Sequence, residues 1–376
     1  MRGPVYPVSS LDGIIGQAPA KVCLLGAMKA ERVHHAWIFH GPQGVGKFTT
    51  AIAFAATLLD PTTHAGRDDV VRPEPGGAVQ ELVRAGNHPD LHVITKELAS
   101  ISREDDVRKS KQITLPVNVV REFLIDPALK TRVLGHESPT RAGKVFIVDE
   151  AELMAAPAQN AVLKLLEEPP EGTVLILLTS SEERLLPTIR SRGQRVAFGA
   201  LNQSEMEKWF AAYPKSAGLA AAQRDWVLRF AAGSPGAAAL AIEHELYAWH
   251  QKLGPLLDEL AKGGFPPELA PAMGKFISER AEAVVEANPA ASKDSANKAW
   301  ARRMLGYVSE DARSRLRQLA SKSGAGGGLR EDIRATRLLQ LIDRVNDAER
   351  ELGSNVNMAF VLENLVAQAA LEPGLA

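Results

Sequence analysis

The residues of this chain able to do chemistry fall in a glycine loop, a carboxylate pair, a strand-ending hydroxyl and an arginine. The loop reads Gly41-Pro42-Gln43-Gly44-Val45-Gly46-Lys47-Phe48. Gly41, Gly44 and Gly46 open backbone conformations closed to other residues, so successive amide N–H groups can converge on phosphate oxygens. A helix starting near Lys47 adds its positive dipole end, and the Lys47 ammonium reaches the terminal phosphates. The motif departs from its pattern at the last position. A Ser or Thr hydroxyl is expected there to ligate Mg2+, and the ring of Phe48 cannot coordinate a hard cation. Thr49 comes one residue later, turned by about 100° around the helix. The loop therefore predicts nucleotide binding better than hydrolysis. A glycine-rich turn with a chance lysine is the plainer alternative. The flanks weigh against it, because residues 36–40 read as a short buried strand and residues 49–56 as a helix.

Asp149 and Glu150 close the apolar run Lys144-Val145-Phe146-Ile147-Val148. A buried parallel strand has this form, and acids at its C-terminal end meet the ligand crevice of an open α/β sheet. Asp149 can hold Mg2+ through water, and Glu150 can orient and deprotonate an attacking water. Alone this is a weak signal; roughly 100 residues after a phosphate loop it is a strong one. Residues 174–179 read as another buried strand, whose terminal Thr179 either senses the last phosphate through a bound water or simply ends the strand. Arg190 and Arg192 lie beside a short helix end, before a last strand at 194–198. His88 and Asp90, with His92 nearby, carry metal-liganding types, but a turn entering the strand at 91–94 accounts for them better.

These elements need a sizeable protein around them. At 376 residues the chain suits two or three domains, and 45% hydrophobic content is ample for real cores. Low aromatic content with abundant Ala and Leu favours helices. No apolar run is long enough to span a bilayer, and the N-terminus lacks the apolar core of a secretory signal, so a soluble cytoplasmic protein is expected. Cys23 is the only cysteine, which excludes an internal disulfide and a cysteine-based zinc cluster; it sits on an apolar helix face as a small core residue. Lys plus Arg (44) and Asp plus Glu (45) nearly cancel. Global charge gives no sign of DNA binding. The cluster Arg103, Arg108, Lys109 and Lys111 is interleaved with Glu104, Asp105 and Asp106, and reads as a solvated mixed-charge loop.

Taken together, several strings resemble the AAA+ subunits of bacterial DNA polymerase III clamp loaders, delta-prime and its relatives gamma and tau. They are Ile14-Ile15-Gly16-Gln17, His34-His35-Ala36-Trp37, the glycine loop, Asp149-Glu150-Ala151-Glu152, Asn160-Ala161-Val162-Leu163-Lys164-Leu165-Leu166-Glu167-Glu168-Pro169-Pro170, and Leu186-Pro187-Thr188-Ile189-Arg190-Ser191-Arg192. The likeness is close over residues 10–60 and 140–200 and loose elsewhere. It implies an α/β AAA+ P-loop NTPase domain over residues 1–200, a parallel sheet flanked by helices, with 60–111 as an inserted excursion. A small helical lid at 201–245 and an all-α collar at 246–376 would follow. The implied activity is ATP-dependent loading of a sliding clamp onto primed DNA within a ring-like pentamer of gamma/tau and delta type subunits. ATP and Mg2+ are the implied cofactors, without zinc. Ile15 and Val45 join Gly41, Gly44, Gly46, Lys47, Phe48, Thr49, Asp149 and Thr179 as implied nucleotide contacts.

In the resembled family the arginine of a Ser-Arg-Cys motif reaches a neighbour's ATP site, which makes Arg192 the candidate finger. Gly193 replaces the Cys, but the guanidinium carries the chemistry. A local ion pair is the plain alternative for Arg192. Two further departures choose among subunits. Phe48 removes the metal hydroxyl, and Gly236 with Ala237 stands where the motor subunits have a lid arginine. Both weaken hydrolysis in cis and leave Arg192 able to act in trans, so the pattern is delta-prime-like. The absent zinc cysteines of the 60–111 excursion say little about the core activity. A gamma-type motor, favoured by intact Lys47, Asp149 and Glu150, is the alternative. A self-contained P-loop enzyme would need its own arginine cluster and mobile lid, and neither stands out. Any DNA contact should be phosphate-directed and steeply salt dependent. The tail reads as helices broken at 263–267 and 321–328, with 334–350 and 355–368 amphipathic and Asn355 capping the last.

Overall fold

The computed structural model describes residues 10–30, 33–65, 71–73, 76–109, 114–130, 142–287, 292–322, 329–352 and 356–371. Residues 131–141, Lys111, Asn355 and the glycine-rich 323–328 lie outside this set. Among the described residues the strands are β1 (Ala36–His40), β2 (His64–Ala65), β3 (Val71–Arg72), β4 (Leu91–Ile94), β5 (Lys144–Val148), β6 (Thr173–Thr179) and β7 (Gln194–Ala197). β2 and β3 form a small antiparallel hairpin inside the 60–111 excursion. The other five form one sheet in the order β4-β5-β6-β1-β7, and every pairing in it is parallel.

Strand periodicity divides the core into two layers. Trp37, Phe39, Val145, Ile147, Ile176 and Leu178 face one way, onto the helices Ala18–Lys29 and Lys47–Leu59. Ile38, Phe146, Val148, Leu175 and Leu177 face the other, onto the helix Ala156–Glu167 and the helical stretch around Val119 and Leu124. With both faces covered, β5 and β6 are buried along their whole length, which explains their continuous apolar runs. Each such Val, Ile or Phe contributes about 1.5–3 kcal/mol by burial. The acidic strand β5 is separated from the loop strand β1 by β6, and the helices lie on both faces. This is the AAA+ P-loop fold.

The charged part of the excursion is tied down locally. Arg108 pairs with Asp105 and donates to the Ser102 and Arg103 carbonyls, while the Arg103 N–H donates to Glu122 at 3.1 Å. His88 serves the turn, its Nδ1 accepting the Asp90 N–H at 3.1 Å. Cys23 is half-buried against the core, and Gln194 Nε2 lies 3.6 Å from its sulfur.

Contacts divide the chain into two compact units, residues 1–212 with 233–236, and residues 213–232 with 237–376. The second unit is all helix. Its long helices are Leu246–Ala261, Leu269–Ala287, Lys293–Lys322, Leu329–Leu352 and Met358–Leu371. The helix expected to break at 321 continues to Lys322. The last helix starts later than its pattern suggested. Asn357 caps it, its Oδ1 accepting the Ala359 N–H at 2.8 Å, in the role expected of Asn355.

At the centre of this unit Trp249 meets Tyr307 edge-on, with ring centroids 5.9 Å apart. Arg315 links two helices: it donates to Asp258 at 2.8 Å and the Gly254 carbonyl at 3.0 Å on one, and to Asp311 at 2.5 Å on its own. Asp311 is nearly buried, so losing its partner strands a charge in a poorly solvated place. Arg315→Ala is expected to destabilise the chain by about 2–3 kcal/mol, read as a lower urea midpoint. A shift under about 0.5 kcal/mol would mean that Lys262 and Arg334, which also pair with Asp258, carry the network without it.

Candidate functional site

The loop lies between β1 and the helix Lys47–Leu59, and its glycines take the conformations the motif requires, with φ of +142° at Gly41, +74° at Gly44 and +106° at Gly46. Gly41 has a second constraint. A Cβ there would fall 2.1 Å from the Phe198 carbonyl oxygen, so only glycine lets the loop leave β1 beside the end of β7.

Each carbonyl from Gly41 to Gly46 accepts a hydrogen bond from this chain. Lys47 Nζ donates to Gly41 at 2.6 Å and Pro42 at 2.7 Å. Ser234 Oγ donates to Gln43 at 3.1 Å, and the Gly236 N–H to Gly44 at 2.9 Å. Gln17 Nε2 donates to Val45 at 2.9 Å, and the Thr50 hydroxyl to Gly46 at 2.9 Å. Engaged carbonyls leave the opposite faces of the peptides after Pro42, with the N–H groups of residues 43–47, for an anion.

Gln17 was legible only as part of a family string, yet it ties two segments together. Its amide also donates to the Gly199 carbonyl at 2.7 Å and accepts the Gly199 N–H at 3.2 Å. It is buried and sits at positive φ, next to Gly16 and half-buried Ile15.

The acids stand where the strand reading put them. Asp149 and Glu150 follow β5, Thr179 ends β6, and Thr179 pairs in register with His40 at the start of the loop. Burial, with the neighbouring charges of Glu150 and Glu152, pushes the Asp149 carboxyl above the usual range, against the Glu150 N–H and Lys47. Burial likewise lowers the Lys47 ammonium, and Glu152 opposes this more strongly than Asp149 does. Glu152 is therefore a third acid facing the loop lysine. It accepts hydrogen bonds from the Ser180 N–H and hydroxyl, which hold it ionised below the usual range despite its burial.

Three groups meant for hydrolysis are turned to other uses. Phe48 packs against the core layer under the loop, contributing no ligand atom. Glu150, in a left-handed backbone conformation at φ +47°, pairs with Lys96 at 2.7 Å. The Thr179 hydroxyl accepts the Ser181 N–H at 3.1 Å and donates its own proton to the Glu152 carboxylate. Thr49 is half-buried one residue past the metal position. Mg2+ is the ion that loops of this class use, and the residues present do not fit direct coordination of it. Asp149 alone could reach it, through water, and among the described residues no group of three or more His, Cys, Asp or Glu is arranged to hold a metal.

Arg192 lies apart from these groups, at the end of the short helix Pro187–Arg190. Its guanidinium donates to Glu167 at 2.8 Å and to the Thr188 carbonyl at 3.0 Å, with 36% of the side chain still exposed. Gly193 also has a steric reason, since a Cβ there would meet Ile38 Cγ1 at 2.6 Å.

Gln17→Leu would leave the Val45 and Gly199 groups unpaired, at a cost of about 1–3 kcal/mol in urea unfolding. Asp149→Asn should act oppositely. A raised carboxyl favours the fold only while protonated, and that contribution fades as pH rises through its folded value. At pH 7 Asp149→Asn is therefore expected to melt higher than wild type, with the gap closing as pH falls toward about 4. A lower melting temperature at pH 7 would mean that the charge of Asp149 is needed to hold Lys47.

Residues 16–202 match the family described as DNA polymerase III, delta subunit. The chain is 37% identical over 163 residues to DNA polymerase III subunit delta' of Pseudomonas aeruginosa, covering 42% of this chain and 41% of that one. It is 32% identical over 220 residues to subunit delta' of Escherichia coli K12, covering 57% and 56%. It is 30% identical over 237 residues to subunit gamma/tau of Mycobacterium tuberculosis H37Rv, covering 61% and 36%. The matches thus span from about a third to somewhat over half the length of these relatives. Both subunit types are similar at comparable identity, so similarity alone does not choose between them. The Asp-Glu strand end, the loop and the arginine segment all fall inside the matched stretch, and over residues 16–202 the chain is similar to subunits of bacterial DNA polymerase III.

Proposed function

We propose that this chain is a delta-prime-like clamp-loader subunit, an assembly member that holds nucleotide at the Gly41–Lys47 loop without efficient turnover and donates Arg192 to a neighbour. The observation that carries the reading is Phe48, whose half-buried ring packs against the core at the position of the metal hydroxyl while the rest of the loop is kept. The Lys96 partner of Glu150 supports it, because a carboxylate held by an ammonium is a poorer base for an attacking water. Arg192, partly exposed and held only by surface contacts, is free to exchange Glu167 for a phosphate of another subunit.

On this reading residues 201–245 act as a lid and 246–376 as a collar that assembles with gamma/tau and delta type subunits. The assembly would act on a sliding clamp and primed DNA in the cytoplasm. No described helix is long and apolar enough to cross a membrane. A gamma-type motor is the second reading, favoured by the retained Lys47, Asp149 and Glu150 and by similarity to gamma/tau.

ATP turnover by the isolated chain, then by a reconstituted complex with a cognate motor subunit, separates the two. The chain alone is expected to be nearly inactive, and Arg192→Ala to slow the motor's DNA-stimulated hydrolysis by about tenfold or more. Robust turnover by the isolated chain, lost in Lys47→Ala and indifferent to Arg192, would establish the motor instead.

A further inference from the structure

The parts of the loop that hold two phosphates are complete, whereas those that would read a third phosphate or its metal are engaged elsewhere. Lys47, the three glycines and the inward amides need no partner beyond this chain's own donors. By contrast Phe48 packs against the core, the Thr50 hydroxyl donates to the Gly46 carbonyl, and the Thr179 hydroxyl accepts from Ser181 and donates to Glu152. Glu150 is paired with Lys96. Gly236 brings no side chain to the loop, and its backbone lies so close that an added Cβ would sit 2.8 Å from Gly44 Cα.

We propose that the loop is a metal-independent diphosphate site, taking a nucleoside diphosphate as tightly as a triphosphate and requiring Mg2+ for neither. The proposal rests on the nucleotide-binding reading above and names its ligand. Neutralisation comes from the Lys47 ammonium and the helix N-terminus, neither of which involves a cation. A third phosphate finds no new donor, so it adds nothing to affinity.

Calorimetric titration of the full chain with ADP, ATP and AMP, in Mg2+ and again in EDTA, tests this. ADP and ATP are expected to bind within about threefold of each other, unmoved by EDTA within the same factor, with AMP at least about tenfold weaker. ATP binding more than about tenfold tighter than ADP, or lost in EDTA, overturns the proposal and leaves the nucleotide reading standing. No binding of any nucleotide by a chain whose melting curve shows it folded overturns both. Phe48→Thr restores the missing hydroxyl, and in that variant Mg2+ should tighten ATP by about tenfold or more. A variant as indifferent to Mg2+ as wild type would remove Phe48 as the cause and overturn the proposal in this form.

Discussion

The site depends on which way a few peptide carbonyls point. A loop that binds phosphate must turn its N–H groups inward, and each carbonyl turned outward must find a donor or lose hydrogen bonding. Here the donors come from far apart in sequence: Gln17 ahead of β1, Lys47 and Thr50 in the following helix, and Ser234 and Gly236 nearly two hundred residues later. The sheet, the helix and the 233–236 segment serve to deliver those donors. The loop's shape is thus a property of the folded chain.

Binding and bond-breaking separate physically in such a site. Holding an anion needs converging dipoles and one cation, and this chain keeps them. Splitting a phosphoanhydride needs a metal, a free base and a neutral reader of the last phosphate. The atoms that could supply these are spent on packing, on an ion pair and on a turn, through Phe48, Glu150 and Thr179 respectively.

Sequence carried the periodic and local features well. The glycine loop, the buried runs of β5 and β6 and the position of Asp149 and Glu150 are all short-range patterns, and the structure has them where the residues implied. The partners that define the site's electrostatics were not legible. Lys96 lies in a charged excursion with no motif, and its pairing with Glu150 exists only because β4 sits beside β5. Glu152 became an individual participant only through the turn that brings it to Ser180. Asn357 became visible as a cap only through the Ala359 N–H that its side chain accepts. Gly193 read as a missing cysteine until the branched side chain of Ile38 showed that there is no room for one.

Two of the tightest approaches in the domain flank β1. Gly193 rests on Ile38 in the middle of the strand, and Gly41 rests on the Phe198 carbonyl at its end. Between these points runs β7, which directly follows Arg192. Close contacts of this kind resist compression far more than they resist bending elsewhere. The phosphate loop and the arginine segment are therefore both pinned beside β1 at points where a Cβ has no place, so a side chain added at either glycine would have to displace a neighbouring strand.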